Sequence, residues 1–140
     1  MEEFNGLKIP TIYEKYNLEV ISFEDFLTEI KKITNISNEL MIITNKKKLL
    51  YKKINDINEN KIINNYILKV DNIHSVIHFL QKIIDSNFKI YLSNDMTIYI
   101  ENLHKLLIYS NSKRFDRMFN NLISTLQTNK IKLKCFYEKY

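Results

Sequence analysis

Apolar residues recur along this chain at two periods, and the alternation between them predicts the order of its elements. In "SFEDFLTEIKKI", Phe23, Phe26, Leu27 and Ile30 share one helix face, and Ile33 extends the stripe. Ser22 opens that helix and Asp25 lies three positions on, a near capping box. "LMIIT" is short, continuously apolar and carries two β-branched isoleucines, the pattern of a strand buried on both faces. Lys47 to Asp56 reads as a polar helix that turns Leu49, Leu50 and Ile54 inward. After an Asn-rich stretch, "YILKV" reads as a second strand. "DNIHSVIHFLQKIIDS" is the clearest helix, with Ile73, Val76, Ile77, Leu80, Ile83 and Ile84 in one stripe and Asp71 or Asn72 as its cap.

"FKIYLSNDMTIYIENL" supports two readings: a hairpin of Phe88–Leu92 with Met96–Ile100, or Met96–Ile100 alone as a central strand. A further helix runs from about Ser112 to Gln127 and buries Phe115, Met118, Phe119, Leu122 and Leu126. "IKLKCFYEK" closes the chain as an alternating strand with Leu133 and Cys135 on one face. Strands separated by helices predict an α/β fold, a single three-layer domain with a small, mostly parallel sheet. Its strands are Leu40–Thr44, Tyr66–Val70 and Met96–Ile100. Residues 1–20 are expected to be a flexible arm and residues 21–140 the domain. The hairpin reading would make the fold α+β instead.

Composition narrows the classes. A chain of 140 residues with 45% hydrophobic content suits one globular domain and not a disordered one. The single cysteine, Cys135, excludes an intramolecular disulfide framework and fits a reducing compartment. "MEEFNGLKIP" lacks the apolar core of a signal peptide, and no apolar run exceeds four residues, so no membrane segment is expected. Net charge is +5, which invites a nucleic-acid partner. Abundant Asn, Ile and Lys, with one Gly, one Pro and no Ala, follow AT-rich codons, and this discounts the lysines. Arg114 and Arg117 escape the discount, because they are the only arginines and stand together in "NSKRFDRMF".

"ELMIITNKKKLLYKKI" has the layout of a phosphate-binding loop: strand, loop, basic helix. Such a loop needs glycines, so that successive N–H groups can curl around phosphate, and a Lys followed by Ser or Thr. "TNKKKLL" has neither, and the only glycine is Gly6. Lys46, Lys47 and Lys48 can attract an anion there but nothing cradles it. Glu101 ends an apolar strand where a Walker B carboxylate would hold Mg²⁺, and Asp71 ends a neighbouring candidate strand. Together they would suit a metal-dependent nuclease; otherwise they are a helix cap and an exposed loop acid. His74 and His78 have the spacing of a zinc pair but lie on a polar face, and Cys135 sits on an apolar one. Lys113, Arg114 and Arg117 open a helix, where basic side chains and free N–H groups together favour an anion; the competing reading is a solvated helix face. These three, with Lys46, Lys47 and Lys48, are the candidate DNA or acidic-partner contacts. A stand-alone nucleic-acid-binding module would rest on the same residues.

The order of elements, with "MTIYIENLHKLL" followed by "RFDRMFNNLISTLQ" and a short final strand, resembles the RecA-like core of recombinase paralogues that have lost their ATPase motifs. Within that superfamily it is similar to the small subunits of the yeast Shu complex, over roughly residues 22 to 138. The resemblance implies a degenerate RecA-like domain with no catalysis and no cofactor. It implies a nuclear hetero-oligomer with other Shu-type subunits, including a SWIM-domain protein, that promotes recombinase filament assembly in homologous-recombination DNA repair. DNA would be reached through the assembled complex. No family motif marks the basic residues. A small parallel sheet also has open edges, and the final strand is apolar or aromatic on both faces. Phe136 and Tyr137 are therefore the expected partner interface.

Overall fold

Each long apolar run in this chain is followed by a helix that carries it back to the same end of the molecule, and the strands consequently align in parallel. The computed structural model describes residues 3–4, 7–32, 40–57, 66–86, 96–107 and 112–137. A short antiparallel pair, β1 (Glu3–Phe4) and β2 (Leu7–Lys8), leads into α1 (Ile9–Glu14). Then come β3 (Glu19–Val20), α2 (Phe23–Lys32), β4 (Leu40–Thr44) and α3 (Lys47–Ile57). β5 (Ile67–Lys69), α4 (Ile73–Asp85), β6 (Thr97–Glu101), α5 (Leu103–Leu106), α6 (Lys113–Thr128) and β7 (Lys132–Phe136) complete the order.

Five strands form one all-parallel sheet in the order β3-β7-β6-β4-β5. The expected α/β class is therefore observed, and the strand containing Met96–Ile100 is central, with every residue of β6 buried. Ile33 and the alternative strand Phe88–Leu92 lie outside the described residues.

Alternation along the strands divides the core into two layers. Ile43, Ile98, Ile100, Leu133 and Cys135 face α1, α4, α5 and α6. Ile42, Ile67, Tyr99 and Phe136 face α2 and α3. In the second layer Phe136 stacks on Phe26 with ring centroids 4.1 Å apart. Helix caps follow the chemistry expected: Ser22 accepts from Asp25 N–H at 3.1 Å, Asn72 from Ser75 N–H and Ser112 from Phe115 N–H, each at 3.0 Å.

Three expectations need correction. The presumed arm is part of the core: α1 buries Ile9 and Tyr13, Tyr16 and Leu18 follow, and β3 pairs with β7. Leu49 is 46% and Met118 41% exposed. Each lies about 100° around its helix from the next residue, Leu50 or Phe119, which faces the sheet. Phe136 is fully buried in this chain's own core, and β7 sits between β6 and β3, so neither offers an open edge to a partner. Tyr137 is half-buried and stacks on Tyr13.

Two helices end in the same hydrogen-bonded turn without a glycine. Beyond α6, Ile131 N–H donates to the Leu126 carbonyl and Lys130 N–H to Gln127, with Lys130 at φ 67°. Beyond α1, Leu18 N–H reaches Tyr13 and Asn17 N–H reaches Glu14, with Asn17 at φ 57°. Both are Schellman closures, and the apolar residue after each left-handed position, Ile131 or Leu18, is buried. A lysine in this conformation costs about 1 kcal/mol relative to glycine.

Candidate functional site at the carboxyl end of the sheet

The core strands β5-β4-β6-β7 run 2-1-3-4 in sequence, so the chain reverses its winding direction between β4 and β6. In open α/β sheets the crevice outside the carboxyl ends at such a point is where ligands bind. Here it is bounded by Thr44, Asn45 and Lys46 on one side and by Glu101 and Asn102 on the other.

The register pairs Ile43 with Ile100, which sets Thr44 beside Glu101 on the α2/α3 face. Thr44 donates its hydroxyl to Glu101 Oε1 at 2.6 Å and accepts from Lys46 N–H at 2.9 Å. Both side chains are fully buried, and Asn102 is 1% exposed. Asn102 takes φ 54°, turning the chain sharply from β6 into α5, while its N–H extends the ladder to Phe136. The carboxyl ends of β4 and β6 are thus bridged by the chain's own hydroxyl and carboxyl groups. Asn45 keeps a buried Oδ1 that the described residues leave unpartnered.

On the opposite face, Tyr13 and His104 form a second buried polar pair. The Tyr13 hydroxyl accepts from His104 N–H at 3.1 Å and lies 2.8 Å from His104 Nδ1. Burial, followed by the neighbouring Cys135, raises the Tyr13 hydroxyl pKa well above the ordinary phenolic value. Tyr13 therefore stays protonated beside the imidazole. Burial likewise pushes the Cys135 thiol up, away from a reactive thiolate. A third group links α2 to the sheet: Tyr99 and Lys134 both donate to Glu29 Oε1, at 3.0 and 2.5 Å.

The predicted site residues fall into separate places. Glu101 is not an exposed loop acid but a buried one, whereas Asp71 is exposed and 3.8 Å from Lys69. Their strands are two positions apart with β4 between, roughly 10 Å, and Glu101 points to Thr44. Among the described residues no three His, Cys, Asp or Glu side chains gather in a metal-binding arrangement. His74 and His78 are exposed on α4.

The cations are brought to one end. Because α3 and α6 run antiparallel to the strands, both begin at the sheet's carboxyl end, one on each face. Lys46 and Lys48 are exposed there and Lys47 is half-buried. Lys113, Arg114 and Arg117 are exposed on the first turns of α6. Asp116, between the two arginines, is taken by Lys15 at 2.6 Å and by the Tyr16 hydroxyl at 2.5 Å.

Thr44, Tyr13, His104 and the Tyr99–Glu29–Lys134 group were not singled out by sequence reasoning. The pattern Ile9, Ile12, Tyr13, Tyr16 behind Pro10 carried a signal for one of them, a helical stripe with proline in the first turn.

Comparison with models of known families, with curated proteins and with solved structures finds no significant match for this chain.

Proposed function

We propose that this protein is a non-catalytic assembly subunit, an α/β domain that contributes surface and not chemistry. The observation that carries this reading is the Thr44–Glu101 hydrogen bond, buried at the point where a doubly wound sheet would hold its ligand. A nucleotide entering there would have to break this bond between two fully buried side chains. The glycine-free segment after β4 agrees with this, since it lacks the conformational freedom to wrap phosphate.

Within that class, the resemblance favours a nuclear, Shu-type recombinase paralogue that assembles with sister subunits and a SWIM-domain protein to promote recombinase filaments on DNA. The two cation groups at the carboxyl end would then face DNA or an acidic subunit. Co-expression with the host's recombinase paralogues and SWIM-domain protein should yield a stoichiometric complex. An ATP analogue with Mg²⁺ should leave the melting temperature of the isolated chain unchanged. Nucleotide binding at micromolar affinity would sink the non-catalytic reading, and a chain that enters no such complex would sink the recombination one.

A further inference from the structure

Going beyond that reading, we infer that the outer edge of β5 and the adjoining face of α4 form a docking groove for an extended acidic segment of a partner protein. The segment would add to the sheet as a strand beside β5. Among the described residues β5 pairs with β4 alone. Val70 N–H donates to the Thr44 carbonyl, so the inward-facing backbone groups belong to Val70 and, two residues back, Leu68. Main-chain groups alternate sides along a strand, which turns the N–H and C=O of Ile67 and Lys69 outward.

A groove of about 450 Å³ runs alongside, with Leu68, Val70 and Phe79 in its apolar lining. Its rim is cationic or imidazole: Lys69 on the strand, then His74, His78 and Lys82 at four-residue spacing along α4. All four are exposed. One acid, Asp71, stands 3.8 Å from Lys69, but both side chains are largely in water and the pair is weak.

These features select the occupant. An outward strand edge is matched by a polypeptide backbone, which supplies alternating donors and acceptors; side-chain pockets then give the specificity. The rim asks for carboxylates on that polypeptide. A second copy of this chain fits poorly, because pairing two β5 edges about a two-fold axis sets Lys69, His74, His78 and Lys82 against their own counterparts. Three residues of strand offer few ladder bonds, so charge must supply much of the affinity. The inference does not depend on the partner's belonging to a recombination complex.

The probes are a labelled short peptide alternating glutamate and valine, the same peptide with lysine for glutamate, and the acidic peptide with alternate backbone nitrogens methylated. Binding to the full chain is read by fluorescence anisotropy. The acidic peptide should bind in the micromolar range, more weakly as salt rises, and the lysine peptide should not bind. Methylation should weaken binding at least about tenfold, since it removes ladder donors without touching the protein. The triple variant His74→Gln, His78→Gln, Lys82→Gln, all on an exposed helix face, should weaken it by roughly tenfold and keep the native melting temperature. Equal binding of the methylated peptide, indifference to the triple variant, or no binding at low salt would each overturn the proposal. So would self-association through β5, or an oligonucleotide that displaces the acidic peptide from this groove.

Discussion

Replacing Thr44 by valine keeps the side chain's shape and removes the hydroxyl that closes the crevice. The Thr44 hydroxyl has two bonds, a donation to Glu101 at 2.6 Å and an acceptance from Lys46 N–H at 2.9 Å. Leaving a buried carboxyl group without this donor costs about 1 to 3 kcal/mol, and the orphaned N–H adds about 1 kcal/mol. The expected loss is therefore about 2 to 4 kcal/mol. For a chain of this length that is a fall in melting temperature of about 6 to 15 °C. Thr44→Ser is the control, because it keeps both bonds and loses one methyl group, worth about 1 kcal/mol. Urea titration should order the proteins wild type, serine, valine. A double-mutant cycle with Glu101→Gln should show coupling, as contacting residues do. Valine as stable as serine, or a coupling energy of zero, would refute the view that Thr44 and Glu101 seal the crevice as a unit.

Phe136→Ala should destabilise the isolated chain by about 3 to 5 kcal/mol, because the ring is fully buried against Phe26. A variant with the native melting temperature would return Phe136 to the surface. Lys130→Gly should raise stability by up to about 1 kcal/mol by relieving the left-handed residue after α6, and a loss in calorimetry would contradict the Schellman assignment. At Asp116, burial raises the carboxyl pKa, but hydrogen bonds from Lys15 and Tyr16 and the Lys15 charge outweigh it and hold it below its ordinary value. A depressed folded value stabilises at neutral pH and loses that contribution as pH falls below about 4, the ordinary carboxylate range. The melting-temperature gap between wild type and Asp116→Asn should therefore be present at pH 7 and close in acid. A gap independent of pH would remove Asp116 from the link between α1 and α6.

β4 and α4 were legible because their apolar patterns were clear, whereas the central strand β6 carried two readings. "LMIIT" is too short and too uniformly apolar for anything but a buried strand, and Ile73, Val76, Leu80 and Ile83 line one helix face. The N-terminal segment was misread because chain termini are commonly loose unless tied down. Yet Pro10 stands in the first turn of α1, where its missing N–H costs nothing, and Ile9 and Tyr13 behind it are buried. The β1–β2 pair also had a signal. The sequence there reads "FNGL", and Asn-Gly is the dipeptide that two-residue hairpins favour. Leu49 and Met118 were assigned inward because they are apolar, although Leu50 and Phe119 already held the facing positions.

The Thr44–Glu101 contact could not be read from the chain. Period-two patterning says which face of a strand is buried, but not which strands are neighbours. Thr44 and Glu101 are 57 residues apart, and they meet because β6 crosses to the far side of β4 from β5. Had β6 been laid down beside β5, Glu101 would stand next to the exposed Lys69–Asp71 pair. The same crossing gathers the cations: it places α6 so that Lys113, Arg114 and Arg117 begin at the end of the sheet where Lys46 and Lys48 emerge. One topological choice therefore has two consequences, closing the interior of the carboxyl end with a carboxyl group and charging its rim with lysine and arginine. A surface built in this way can attract an acidic partner through its charge.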